Sequence, residues 1–309
     1  MRIIACGDLH LVESNPKRRT DNYFETLMDK MKFTSDYAYQ HGITTIIYPG
    51  DIFDTHKASN RLIASTIDFF SSNYYFSGEY IFAVIGNHDQ VYRSEDNSPM
   101  QILSASGIID LLDKEPIMAT NSNRVEFYGC NFGSEIPAPS KSRLTKCLVI
   151  HKMISDKDYW NGHVKYSGAI DFLKEHPEYD IVISGDNHHS FTAEYEGRIL
   201  LNAGSLGRSK IDQINHKPCF FDIETDDLSY EQVFIPILPA KQVFDLGAVE
   251  KEKEENKALE EFVSSLPSVS NHQPMNYVSN VIDFVSRDPN IENDVSSIIY
   301  ECLEGLETT

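Results

Sequence analysis

The 309-residue chain is short of positive charge: 27 Lys and Arg stand against 47 Asp and Glu, a formal net charge of −20. Such a surface repels a phosphate backbone at long range, which excludes a protein that grips nucleic acid by electrostatics alone. Long apolar runs are missing too. No stretch reaches the ~18 consecutive apolar residues of a spanning helix, so no membrane segment is expected. The five cysteines, Cys6, Cys130, Cys147, Cys219 and Cys302, are odd in number, scattered and without metal-type spacing. That pattern argues against disulfides and catalysis and for buried reduced thiols. The N-terminus enters a strand at Arg2, and a Gly-Asp pair follows before any signal-peptide apolar region forms, so a cytoplasmic location is expected.

What the chain does have is a series of polar clusters, each closing a run of β-forming residues. They are Gly7-Asp8-Leu9-His10, Gly50-Asp51-Ile52-Phe53-Asp54, Gly86-Asn87-His88-Asp89, the single His151, and Gly185-Asp186-Asn187-His188. Together they offer carboxylates, imidazoles and one amide oxygen, the mixed donor set of a site for two divalent metals. Asp8 and His10 flank one residue on a tight turn and can reach one ion. Asp51 follows a glycine that allows close backbone approach, and its two oxygens can bridge two ions. Asn87 adds a neutral oxygen that avoids piling negative charge around a phosphate, and His151, Asp186 and His188 complete the two shells. Two such ions activate water for in-line attack on phosphorus. His88, next to Asn87, cannot easily turn back to the same metal. It suits the leaving oxygen, as acid or charge stabiliser, with Asp54 holding its ring.

Each cluster alone has a plain reading: a capped turn at Asp8, an N-cap at Asp51, a left-handed Asn loop at Asn87, a core histidine at His151, a polar turn at Asp186. All of these would have to hold independently, and the order and strand-end placement make that joint outcome improbable.

Strand and helix alternate for most of the length. Strands are expected over 2–6, 43–48, 80–85, 124–130, 146–150 and 180–184. Helices are expected over 20–41, with Gly42 as the stop, over 58–70 and over 99–106. The early strand–helix–strand units imply parallel pairing, with ligands gathered at the carboxyl edge. The later strands, with short connections and an edge-like run over 191–235, read as antiparallel, a second sheet packed on the first. The catalytic domain is placed at 1–240. From Lys241 the last 69 residues hold 5 basic and 14 acidic side chains, and 241–309 reads as an acidic helical appendage with helices over 274–285 and 294–306, whose apolar stripe either docks a partner or packs as a cap on the catalytic domain.

With these motifs in hand, residues 1–235 resemble the calcineurin-like metallophosphoesterase superfamily, whose pattern is D-x-H, G-D-x-x-D, G-N-H-[DE], H and G-H-x-H. The resemblance implies an α/β fold, a four-layer α-β-β-α sandwich of two mixed sheets. It implies that Asp8, His10, Asp51 and His188 hold one metal, and Asp51, Asn87, His151 and Asp186 the other. His88 would be the catalytic imidazole and Asp54 its orienting partner. Asp186 departs from the pattern, standing where the first His is usual; an Asp there shifts preference toward hard metals such as manganese or iron. Within the superfamily the segments 41–54 and 202–209 are most similar to SbcD-type DNA repair nucleases, and Thr55-His56 replaces the Arg-Gly usual in Ser/Thr phosphatases. That similarity implies two divalent ions (Mn²⁺ ahead of Mg²⁺, Fe²⁺ or Zn²⁺), DNA as substrate, a homodimer, and an SMC-like ATPase of the SbcC type as partner, docked through C-terminal helices. For a viral form the location would be the host cytoplasm. Arg18, Arg19, Arg208 and Lys210 are candidates for phosphate contacts, against the commoner role of solvated surface charge. Competing readings are a phosphodiesterase for nucleotides or other small phosphoesters, which suits the acidic surface, and an interaction scaffold with a decayed site, which the near-complete ligand set opposes.

Overall fold

Strands that are apolar on both faces have to be covered on both, and the interior strands of this chain are of that kind. The computed structural model describes residues 1–72, 80–90, 98–118, 124–157, 166–210 and 213–248. Its elements run β1 (Arg2–Ala5), α1 (Tyr23–His41), β2 (Thr45–Tyr48), α2 (Asn60–Ser71), β3 (Tyr80–Ala83), α3 (Pro99–Ala105), β4 (Asp110–Leu111), β5 (Ile117–Met118), β6 (Val125–Cys130) and β7 (Thr145–His151). There follow β8 (Ile154–Ser155), β9 (Ser167–Gly168), α4 (Ala169–Glu175), β10 (Ile181–Gly185), β11 (Phe191–Tyr195), β12 (Arg198–Asn202), β13 (Cys219–Glu224), β14 (Ser229–Phe234) and α5 (Ala240–Val243).

Two six-stranded mixed sheets result, in the orders β14-β13-β1-β2-β3-β4 and β11-β12-β10-β7-β6-β5. Strand parity then sorts the side chains into layers. Ile3, Ala5, Ile47, Phe82, Val84 and Phe221 of the first sheet share one cluster with Phe127, Val149, Ile183 and Leu201 of the second. The alternate residues Ile4, Ile46, Tyr48 and Ala83 pack with Leu27 and Met31 of α1 and Leu62 and Phe70 of α2. Leu148, Ile150, Val182 and Leu200 face Phe172 and Leu173 of α4. The four-layer α-β-β-α sandwich follows.

The second sheet differs from the antiparallel arrangement expected. β6, β7, β10 and β12 are all parallel, and only the edge strands β5 and β11 run against their neighbours. The cause is the Glu196-Gly197 turn, with φ of 50° and 75°, a two-residue reversal that brings β12 back alongside β10. β12 is buried at all five positions and is interior, not edge-like. Helix α1 begins at Tyr23 because the Asn22 side chain accepts from the Glu25 N–H, and it ends where Gly42 takes φ 63°. Helix α4 was not expected; at 7 residues it is too short for a periodic signal. The four described cysteines, Cys6, Cys130, Cys147 and Cys219, are buried and free. Among the described residues no helix is long and apolar enough to cross a membrane. The chain divides into units Met1–Glu250 and Lys251–Thr309; the helices expected over 274–285 and 294–306 lie outside the described residues.

Candidate metal centre

Parallel strands send their following loops out at one edge, and here that edge gathers chemistry from both sheets. Asp8 leaves β1, Asp51 leaves β2, Asn87 and His88 leave β3, His151 ends β7, and Asp186 and His188 leave β10. Two glycines make the approach close enough. A Cβ on Gly86 would lie 2.0 Å from Asp51 Oδ1, and one on Gly50, whose φ is 111°, would lie 2.4 Å from His151 Nδ1. His10, Asp51 and Asp186 themselves hold positive φ, at 48°, 48° and 76°. For side chains other than glycine that conformation costs ~1–3 kcal/mol each, a strain that collects at functional sites. Hydrogen bonds sustain it: the Leu9 and His10 N–H groups donate to the Asp51 carbonyl at 3.1 and 2.9 Å.

Asp8 is wholly buried. Its Oδ2 accepts the Asp186 N–H at 3.0 Å, while Oδ1 has no hydrogen-bond partner among the described residues. Burial pushes its carboxyl well up, with His151 pulling it down and Asp51 pushing it up. The segment 202–209 cradles this residue: Asp8 N–H donates to the Gly204 carbonyl at 3.1 Å, and Leu206 N–H donates to the Asp8 carbonyl at 2.8 Å.

His151 Nδ1 lies 2.7 Å from the Pro49 carbonyl, which can only accept, so Nδ1 carries the proton. That leaves Nε2 facing Asn87 Oδ1 at 2.8 Å and Asp51 Oδ2 at 3.3 Å. Burial works against a charge on this ring, yet Asp51, Asp8 and Asp186 together raise its pKa to about 10. The position calls for positive charge, which a proton or a divalent cation can supply. Asp51 answers in kind: burial raises its carboxyl, but His151, by charge and hydrogen bond, carries it down to about 2.

His10 Nε2 and His188 Nε2 stand 3.0 Å apart. Two adjacent ligands of one octahedral ion, each at ~2.1 Å, have about that separation. Burial, then His10 and Lys210, pushes His188 down to about 4, so its nitrogen keeps a lone pair at neutral pH. Asp8, His10 and His188 have ligand atoms within 4.8 Å of one another, as do His10, Asp51 and His88. Asp51 Oδ2 lies 3.7 Å from His10 Nε2, so one carboxylate faces both clusters. The orphaned Asp8 oxygen, the facing imidazoles and the mixed N/O donor set all fit divalent metal.

Three expectations read differently in the structure. Asp54 does hold the His88 ring, but through its backbone: His88 Nδ1 donates to the Asp54 carbonyl at 2.7 Å. The Asp54 carboxylate instead sits 3.3 Å from His10 Nδ1, and that contact holds its pKa below the usual range. Arg19 and Arg208, expected beside a substrate phosphate, are turned into the fold. Arg19 binds the Asp21 carboxylate and the Arg208 carbonyl and lies over the Tyr23 and Phe244 rings at 4.8 and 5.0 Å. Arg208 donates through its two terminal nitrogens to the carbonyls of Ile214 and Leu238 and lies 5.9 Å from the Phe244 ring. Arg18 is half-buried and its carbonyl accepts the Asp245 N–H; Lys210 remains exposed.

Asp89 was passed over as a site residue. It is fully buried, and its two oxygens accept the Phe53 and Gly86 N–H groups, both at 3.1 Å. Burial, then Asp51, pushes its pKa up to about 7. It ties the Asp51 loop to the Asn87-His88 loop, and its place at the end of the third cluster was the available signal.

Residues 1–190 match the family of calcineurin-like phosphoesterases. The chain is similar to exonuclease subunit 1 of Enterobacteria phage T4, 27% identical over 209 residues covering 61% of this chain and 55% of that protein. It is similar to the DNA double-strand break repair protein Mre11 of Halobacterium salinarum, 22% identical over 222 residues covering 69% and 53%. The matched part thus spans about half the length of these curated relatives. Among solved structures, TT1561 of Thermus thermophilus aligns over 76% of this chain and 99% of its own, at 11% identity and a TM-score of 0.49.

Proposed function

The chain belongs to the calcineurin-like phosphoesterase family, and from that premise we propose that it is a two-metal phosphodiesterase that cuts DNA, the nuclease part of a DNA end-processing complex. The observation that carries the hydrolase reading is the convergence of Asp8, His10, Asp51, Asn87, His151, Asp186 and His188 at one sheet edge, with Asp51 facing both histidine clusters. The printed descriptions of the two relatives, an exonuclease subunit and a DNA double-strand break repair protein, support DNA as the substrate class. Two divalent cations, manganese first among them, would supply Lewis-acid polarisation of the phosphoryl oxygens and a nucleophile at neutral pH.

The side chains divide the remaining work. Asp8, His10, Asp51 and His188 would hold one cation; Asp51, Asn87, His151 and Asp186 would hold the other. The Pro49 carbonyl fixes His151 in the tautomer that presents Nε2 inward. His88 is exposed, and with Nδ1 committed to the Asp54 carbonyl its Nε2 is free to meet the leaving oxygen. Asp89 holds the two loops in register by its pair of backbone hydrogen bonds. Of residues 241–309, Val243 and Phe244 are buried within the first unit; the segment after Glu250 would dock an SMC-like ATPase in a dimeric assembly, which would also supply grip on DNA that a chain of charge −20 lacks.

With Mn²⁺ the purified chain should degrade linear or hairpin DNA, and His88→Gln should abolish cleavage while both metals stay bound. The net charge of −20 favours a second reading, a phosphodiesterase for nucleotides. Turnover of small phosphodiesters with no DNA cleavage, even beside an ATPase partner, would establish that reading in place of the first.

A further inference from the structure

A cleft of about 480 Å³ opens directly beside the metal centre, sharing His151 and Asp186 with it. Its volume falls within the ~300–1,000 Å³ typical of small-ligand sites. The outer wall carries Phe132, Ile136, Lys152 and Met153. Phe132 is 37% exposed although it lies edge-on to His151, with ring centroids 6.1 Å apart. Around it the backbone is held fast. The Phe132 N–H donates to the Ile85 carbonyl at 2.9 Å, its own carbonyl accepts from Gln90 Nε2 at 3.0 Å, and Asn131 Oδ1 accepts the Ile85 N–H at 2.8 Å.

Ile85 immediately precedes Gly86-Asn87-His88, so the same strand end that places the catalytic imidazole also places this ring. A rigid, half-exposed aromatic beside a phosphoryl-transfer centre is the arrangement single-stranded nucleic acid exploits: a base stacks on the ring while its phosphate is held elsewhere. The wall residue Lys152 is exposed and offers a local cation to a strand that the chain as a whole repels.

We propose that this cleft seats the nucleobase adjoining the scissile phosphate, with Phe132 as its stacking platform. The proposal rests on the nucleic-acid phosphodiesterase reading and deepens it: the enzyme engages its substrate as an unpaired strand end whose terminal base is turned out beside His151. Phe132 is then a specificity-determining residue. It contributes nothing to the chemistry at phosphorus and everything to the preference for a base over a bare sugar.

The test compares a thymidine dinucleotide with analogues carrying an abasic tetrahydrofuran residue on either side of the phosphodiester, using the full chain and Mn²⁺. Wild type should favour the intact dinucleotide over one of the two abasic forms by roughly five- to a hundredfold in kcat/KM, carried in KM. Phe132→Ala should bring that ratio close to one, and Phe132→Trp should restore it. In parallel, 2-aminopurine placed at that position should lose fluorescence on binding wild type and keep it with Phe132→Ala. A ratio unmoved by Phe132→Ala overturns the platform while leaving the hydrolase intact. A wild-type chain that cleaves none of the three substrates overturns the phosphodiesterase reading and this proposal with it.

Discussion

Lys30 is a cation buried where a cation is costly, and replacing it separates stability from function. The side chain sits on α1 beneath the 202–209 segment and donates to the Leu206 carbonyl at 2.7 Å. Burial first, then the charges of Arg208 and Arg19, carries its pKa down to about 7, with Asp21 pulling the other way. In the unfolded chain a lysine titrates near ~10.4, so between about pH 7 and 10 the unfolded state binds more protons and stability rises with pH. Below about pH 7 the penalty of the buried ammonium is present in full; above ~10.4 it is gone. Each pH unit inside that window is worth at most ~1.4 kcal/mol, which gives a ceiling of ~4 kcal/mol across it. Lys30→Met keeps the stem and removes the titration. The variant should be more stable than wild type at pH 7, and the gap should close as pH approaches 10, read from urea unfolding at half-unit steps. The lost bond has a second consequence, because Leu206 N–H holds the Asp8 carbonyl from the other side of the same residue. The stabilised variant should therefore bind Mn²⁺ less tightly. Parallel pH profiles for the two proteins would refute the reasoning.

Gly86→Ala should abolish high-affinity metal binding by equilibrium dialysis while leaving the far-ultraviolet circular dichroism in place, since its Cβ would intrude on Asp51 Oδ1. Arg19→Ala should cost ~1–3 kcal/mol in thermal or urea unfolding by leaving the Arg208 carbonyl without its donor and the Asp21 carboxylate with Thr26 Oγ1 but no cation, and it should not change the salt dependence of DNA binding.

The centre was legible because a polar cluster at the end of an apolar run is a conspicuous break in pattern, and five breaks in fixed order constrain one another. Helix α1 and its stop were legible through Asn22 and Gly42, which act within a few residues of the backbone they cap. What escaped depends on distance in space. Nothing local distinguishes an arginine that meets a phosphate from Arg19, which meets Phe244 across more than two hundred residues of chain. The Asp54 carboxylate and carbonyl are equally available on paper, and only the approach of His10 and His88 from different loops decides which goes where. The parallel course of β12 likewise follows from a two-residue turn whose effect is felt a strand away. Asp89 shows the reverse case: the motif named it, and its role as a brace emerged only with its two buried N–H partners.

The shared carboxylate of Asp51 is the pivot of the account, and electron paramagnetic resonance of the Mn²⁺-loaded full chain addresses it directly. Two ions per chain, with the exchange-coupled spectrum of a bridged pair that Asp51→Asn converts to isolated ions, is the predicted result. A single ion per chain, or two whose spectra are uncoupled in wild type, would contradict it.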